Sequence, residues 1–143
     1  MPASLKNPIA VVIGFLVGSL VNMAIVGVGP KLIPLPDGVD LTDAEKIKEN
    51  IQLLKPIHFL SPWLAHAMGT LVGAFVAAWI ALNKKLVIAM FVGGLFFLGG
   101  ITMVWMVGGP MWFILLDLLG AYVPMAFMGW FFADRWKIHH RLN

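Results

Sequence analysis

Two residues of this 143-residue chain invite chemistry, His66 and Asp117. Each sits within a long apolar run, where an ionisable side chain is costly unless it is paired or used. Together they supply a negative charge, a group that titrates near neutrality and an acid/base couple. Five further polar side chains interrupt the apolar runs: Ser19, Asn22, Thr70, Thr102 and Tyr122.

Three kinds of chemistry compete for these residues. In the first, Asp117 pairs with His66 while Asn22 and Thr102 satisfy the remaining donors and acceptors. The cluster is then interhelical glue, each bond contributing roughly 0.6–2 kcal/mol. In the second, the cluster binds a small ligand, a lipid headgroup, an ion or a proton, with Asp117 as the charge and His66 as the titrating group. In the third, Asp117 orients His66 as a general base in a membrane-embedded enzyme. Ser61 is close to His66 in sequence, but no motif around it marks a nucleophile. His58, His66 and Asp117 are metal-ligand types, yet His58 and His66 are eight residues apart with Pro62 between them. That spacing matches no metal motif, so no metal is expected. His139-His140 reads as part of a solvated basic tail.

The chain has no cysteine, which excludes disulfides, thiolate metal sites and thiol redox chemistry. No dinucleotide, P-loop, zinc-protease, rhomboid-like or retinal-type signature is present, and no cofactor is expected.

The elements that must position these residues follow from composition. The chain is 60% hydrophobic and 12% charged, against about 25% charged in soluble domains. Lipid is the solvent that makes such a composition sensible. Four apolar runs emerge, at about 8–28, 62–82, 86–107 and 111–133. Pro8 is suited to open the first, and Gly29-Pro30 to close it. The expectation is an all-α, integral membrane four-helix transmembrane bundle forming a single domain over 1–143. Asn83-Lys84-Lys85 and Gly108-Gly109-Pro110 make short turns, so the last three spans are antiparallel neighbours.

Between the first two spans, a proline-rich loop leads to Thr42-Asp43-Ala44-Glu45, a capping-box pattern. It predicts a short extramembrane amphipathic helix over about 42–55, with Ile47, Ile51 and Leu54 on one side. Segment 42–58 then covers the polar layer, as a lid or a docking surface for another membrane subunit. Trp63, Trp112 and Trp105 lie near the outer span ends and Trp79, Trp130 and Trp136 near the inner ones, as an aromatic belt does.

Lys6, Lys84, Lys85, Arg135, Lys137 and Arg141 gather on one side. Lys31, Lys46, Lys48 and Lys55 lie on the other, among Asp37, Asp40, Asp43, Glu45 and Glu49. The positive-inside rule then puts both termini in the cytoplasm, in a cytoplasmic (inner) membrane. The formal charge of +3 reads as headgroup contact; no basic stretch carries stacking aromatics, so nucleic acid is not an expected partner. The expected partners are the bilayer, a second copy or another membrane subunit. Gly14/Gly18 and Gly69/Gly73 are small-xxx-small pairs for close helix packing, within one bundle or between copies. Gly93, Gly94, Gly99 and Gly100 crowd the third span.

At 1.5 Å per residue, Asn22, His66, Thr102 and Asp117 fall in one layer, roughly 6–10 Å below the outer edge of the hydrocarbon. Ser19, Thr70 and Tyr122 come about one turn deeper. A pore or alternating-access transporter needs polarity across most of the bilayer, and here it is confined to the outer half. Backbone carbonyls freed at Gly93-Gly94 or near Pro124 are the remaining route to a small proton- or ion-coupled transporter. The leading expectation is a non-enzymatic protein that binds a ligand, ion, lipid or partner at the outer-half cluster. The His/Asp enzyme and a structural or accessory subunit are the rivals.

Overall fold

The computed structural model describes residues 3–139 and is all-helical over them. His140 and Arg141, and the side chains of Lys137 and His139, lie outside the described part. The first helix, α1, spans Ala3–Leu32. The short α2 spans Ala44–Asn50 and runs into two single 3₁₀ turns, Ile51–Leu53 and Pro56–Phe59. Then come α3 (Leu60–Ile80), α4 (Lys85–Val107), α5 (Met111–Gly120) and α6 (Val123–His139). Among the described residues, four helical stretches are long and apolar enough to cross a bilayer, with α5 and α6 together making the fourth.

Helix α3 is the hub, packed against α1, α4 and α6. Its seam with α1 is where the two glycine pairs meet. A Cβ at Gly14 would stand 2.5 Å from the Gly73 carbonyl, and one at Gly69 2.9 Å from the Gly18 carbonyl. The two motifs therefore serve one intramolecular contact, in which backbone touches backbone. On the fourth helix, Gly93 meets Ala126 and Gly100 meets Tyr122, whereas Gly94 and Gly99 face away from any neighbour. The interior is built from small side chains, among them Ala65, Ala67, Ala74, Ala77, Ala78, Ala89, Ala126 and Ala133. The large apolar side chains point outward, as Trp105 (86% exposed) and Leu119 (72%) illustrate.

At one end, the Asn7 amide ties the α3–α4 turn, donating to Asn83 Oδ1 (2.8 Å) and accepting from the Leu82 N–H (3.0 Å). Lys84 takes a left-handed conformation there (φ 48°), and Lys85 pairs with Asp134 at 3.4 Å. At the other end, Gly108 (φ 72°) and Gly109 (φ 141°) turn the chain from α4 into α5, conformations open to glycine because it has no Cβ.

Helix boundaries depart from the sequence-based expectation in four places. Helix α1 starts before Pro8 and runs through Pro30 to Leu32. Pro8 is the sixth residue of the helix and withholds one N–H from the Ser4 carbonyl. Pro30 withholds one N–H from the Val26 carbonyl, yet the last turn closes through the Ile33 N–H to the Gly29 carbonyl at 2.9 Å. Helix α2 is capped by Asp43, not Thr42: the Asp43 carboxylate accepts the Lys46 N–H at 2.9 Å. A carboxylate at a helix N-terminus also meets the positive end of the helix dipole, which a hydroxyl does not exploit as well. Helix α2 is shorter than expected and tightens into a 3₁₀ turn after Asn50. Finally, the fourth span is broken. Ala121 and Tyr122 leave the helix, and Pro124 has no N–H for the Gly120 carbonyl.

Candidate functional site

The break delivers Tyr122 to the polar cluster. Asp117 lies in the last turn of α5, its carbonyl accepting the closing Ala121 N–H at 2.9 Å. Tyr122 follows at the bend, and its own carbonyl opens α6 by accepting the Ala126 N–H at 2.8 Å. Asp117 is 3% exposed and Tyr122 is 1% exposed. His66 projects from α3 toward both.

The three side chains make a closed set. His66 Nδ1 is 2.8 Å from Asp117 Oδ1 and 3.0 Å from Oδ2. The Tyr122 hydroxyl donates to Asp117 Oδ2 at 2.9 Å and lies 3.0 Å from His66 Nδ1. A carboxylate that accepts the tyrosine hydroxyl on one side takes the imidazole Nδ1–H on the other, which fixes the ring. Nε2 is left without a protein partner among the described residues. The Tyr122 ring stacks on His66 (centroids 5.8 Å, 29°) and meets Phe97 edge-on (5.8 Å, 78°). Gly100 makes room for the Tyr122 hydroxyl, since a Cβ there would overlap it. The Thr70 hydroxyl donates back to the His66 carbonyl at 2.7 Å, pinning that turn of α3.

The other residues singled out from sequence lie elsewhere. Thr102 is exposed on the outside of α4 and donates to its own Leu98 carbonyl at 2.9 Å. Asn22 is half-buried on the α1–α3 seam, its Cβ against Gly69. Ser19 is half-buried on α1. Tyr122, not Asn22 or Thr102, satisfies the free Asp117 acceptor. Depth along the span places Tyr122 in this region, and Pro124 is the one sequence signal of the bend that turns it inward.

Above His66 lies a cavity of about 340 Å³. His66 and Asp117 form its polar floor. Val26, Gly29 and Pro30 of α1, Gly100, Met103 and Val104 of α4, and Phe113 of α5 contribute its walls. Ile47, Ile51 and Leu54 form the roof, so the apolar side of the predicted amphipathic helix faces the cavity. The same side packs on Phe59, Val107 and Phe113. His58 anchors the roof to the preceding loop: its Nε2 lies 3.2 Å from the Pro34 carbonyl and its Nδ1 accepts the Lys55 N–H at 3.0 Å. Ser61, at the rim, donates to the Ile25 carbonyl at 3.3 Å.

On the outer side of the roof, Asp40 accepts the Thr42 N–H at 2.9 Å and the Lys46 ammonium at 2.6 Å. The Lys46 hydrogen bond, aided by Thr42, holds the Asp40 carboxyl down at about 2. The same contact raises Lys46 above the ordinary lysine range.

A second nitrogen without a partner is fully buried: the Trp63 indole N–H makes no hydrogen bond among the described residues and lies next to Gly120. No group of three or more His, Cys, Asp or Glu side chains among the described residues is arranged to hold a metal ion. Comparison with protein-family models, with curated proteins and with solved structures finds no match.

Proposed function

We propose that this chain is an integral membrane protein that binds a small, largely apolar molecule in the roofed cavity, oriented by His66. Membrane insertion is supported by the four apolar helices and by the distribution of side-chain size. Small residues line the helix contacts and large apolar ones face out, the arrangement that lipid favours and water does not. With the bend and the polar floor in the outer half, both termini face the cytoplasm and α2 lies outside.

The observation that carries the binding function is the single unpartnered nitrogen at the floor of an apolar chamber. Ligand sites are mostly apolar, of about 300–1,000 Å³, with a few polar groups that fix orientation. Asp117 and Tyr122 hold His66 Nδ1, and Nε2 is the atom left for a ligand. A purely structural cluster needs no chamber above it.

The test is ¹⁵N NMR of the histidines in lipid nanodiscs during titration with phenol, a small hydroxyl-bearing aromatic. A saturable shift of the His66 Nε2 resonance, absent from the spectra of Asp117→Asn, supports the assignment. An unmoved resonance at saturating phenol rejects it. The Asp117–Nδ1 contact also favours a second reading, in which Nε2 acts as a general base on a bound molecule. A His66-dependent product detected by mass spectrometry separates catalysis from binding.

A further inference from the structure

A second cavity of about 390 Å³ opens on the side of the bundle between α1 and α3. Ala24, Ile25, Val28 and Leu32 line it from α1, and Leu60 and Leu64 from α3. Val28, Leu32, Leu60 and Leu64 are exposed, so the groove faces the lateral surface that lipid would cover. Gly29, Ile33 and Ser61 belong to the walls of both this groove and the His66 chamber. The two spaces are therefore separated by a neck in which α1 touches α3 through a glycine and a serine. The Ser61 hydroxyl holds that neck with one long bond to the Ile25 carbonyl (3.3 Å).

From above, access is covered by the apolar roof of Ile47, Ile51 and Leu54. The chemistry of the walls selects what fits. Among the described residues, no lysine or arginine lines either space, so an anionic head would meet Asp117 with no cation there to neutralise it. Both Asp117 oxygens already accept hydrogen bonds from His66 and Tyr122, and both His58 nitrogens are engaged. The remaining site is the Nε2 lone pair, which accepts from a hydroxyl.

Resting on the reading of the chamber as a ligand site, we infer that its ligand is a single-chain amphiphile with an uncharged hydroxyl head. The head donates to His66 Nε2, and the chain passes between Gly29 and Ser61, parting their contact, into the groove between α1 and α3. The molecule arrives sideways from the outer leaflet, not from water.

The experiment follows the His66 Nε2 resonance in nanodiscs titrated with phenol, 1-hexadecanol and hexadecanoic acid, each expressed as mole fraction in the bilayer. Leu64→Trp and Ala24→Phe fill the groove from its two sides without touching the chamber. The expected result is that 1-hexadecanol saturates at about tenfold lower mole fraction than phenol, and that each groove variant removes this advantage. Phenol binding persists in both variants, which also demonstrates that they fold, and hexadecanoic acid at pH 8 leaves the resonance unmoved. If 1-hexadecanol binds no better than phenol, or keeps its advantage in both variants, the lateral route is overturned while the ligand site stands. If hexadecanoic acid matches 1-hexadecanol, the uncharged head is overturned. If neither phenol nor 1-hexadecanol moves the resonance, the chamber itself is not a ligand site and both readings fall.

Discussion

Gly100 and Tyr122 share one space: the tyrosine hydroxyl occupies the position a Cβ on Gly100 would need. The glycine is thus part of the polar cluster although it carries no polar group, because it sets where the hydroxyl can sit. Gly100→Ala should displace Tyr122 from Asp117 and lower stability by about 1–3 kcal/mol, as overpacking does. Thermal unfolding in detergent reads the loss, and Tyr122→Phe in the Gly100→Ala background should return part of it. Equal stability of Gly100→Ala and the unaltered chain would show that the hydroxyl sits elsewhere.

The cluster itself separates structural from functional roles when its members are removed together. Asp117→Leu alone strands the His66 and Tyr122 donors and should destabilise by about 3 kcal/mol. The triple variant His66→Phe, Asp117→Leu, Tyr122→Phe strands nothing and should melt at or above the parent temperature. That outcome means the fold does not require these groups, as expected of residues retained for function. A triple variant that melts well below the parent would make the cluster structural glue.

Helix α1 docks on α3 through Gly14, Gly18, Gly69 and Gly73. Gly18→Leu drives a side chain into the Gly69 carbonyl and should destabilise the monomer by at least about 2 kcal/mol. Melting and molar mass measured on the same sample check this. An unchanged melting temperature with a loss of dimer would mean that the motif joins copies.

The clasp between Asp40 and Lys46 lies outside the bundle and responds to acid. Its carboxyl titrates at about 2 when folded, below the ordinary value of 3.8. A depressed carboxyl contributes fully above its unfolded value, and that contribution is lost as pH falls through the folded one. The Thr42 amide, which donates to Asp40, should therefore hold its shift above pH 4 and lose it between about pH 4 and 2. Amide NMR across pH 5 to 1.5 reads the change, and Asp40→Asn should abolish the transition.

Orientation has a direct test, because the chain contains no native cysteine. Glu49→Cys on α2 should react with an impermeant maleimide added outside intact cells. Lys84→Cys in the α3–α4 turn should react only after permeabilisation. The reverse pattern would invert the topology and put the chamber on the cytoplasmic side.

The four apolar stretches, the two short turns and the amphipathic segment over 42–55 were legible because each rests on composition or on a local rule. The pairing of His66 with Asp117 was legible too, from depth alone. Depth does not give direction around a helix axis, and consecutive residues differ there by about 100°. Thr102 shares the level of His66 yet turns outward, while Gly100, two residues earlier, faces in. The bend at Ala121–Tyr122 was hidden for another reason. Its one signal, Pro124, is tolerated inside helices elsewhere in this chain, as Pro30 is in α1.

That bend divides the last membrane-length stretch into a ten-residue segment and a longer one, with Asp117 on one side and Tyr122 at the joint. The 2.9 Å bond from the Tyr122 hydroxyl reaches back from that joint to the short segment, a strut that couples the angle of α5 to the position of the tyrosine.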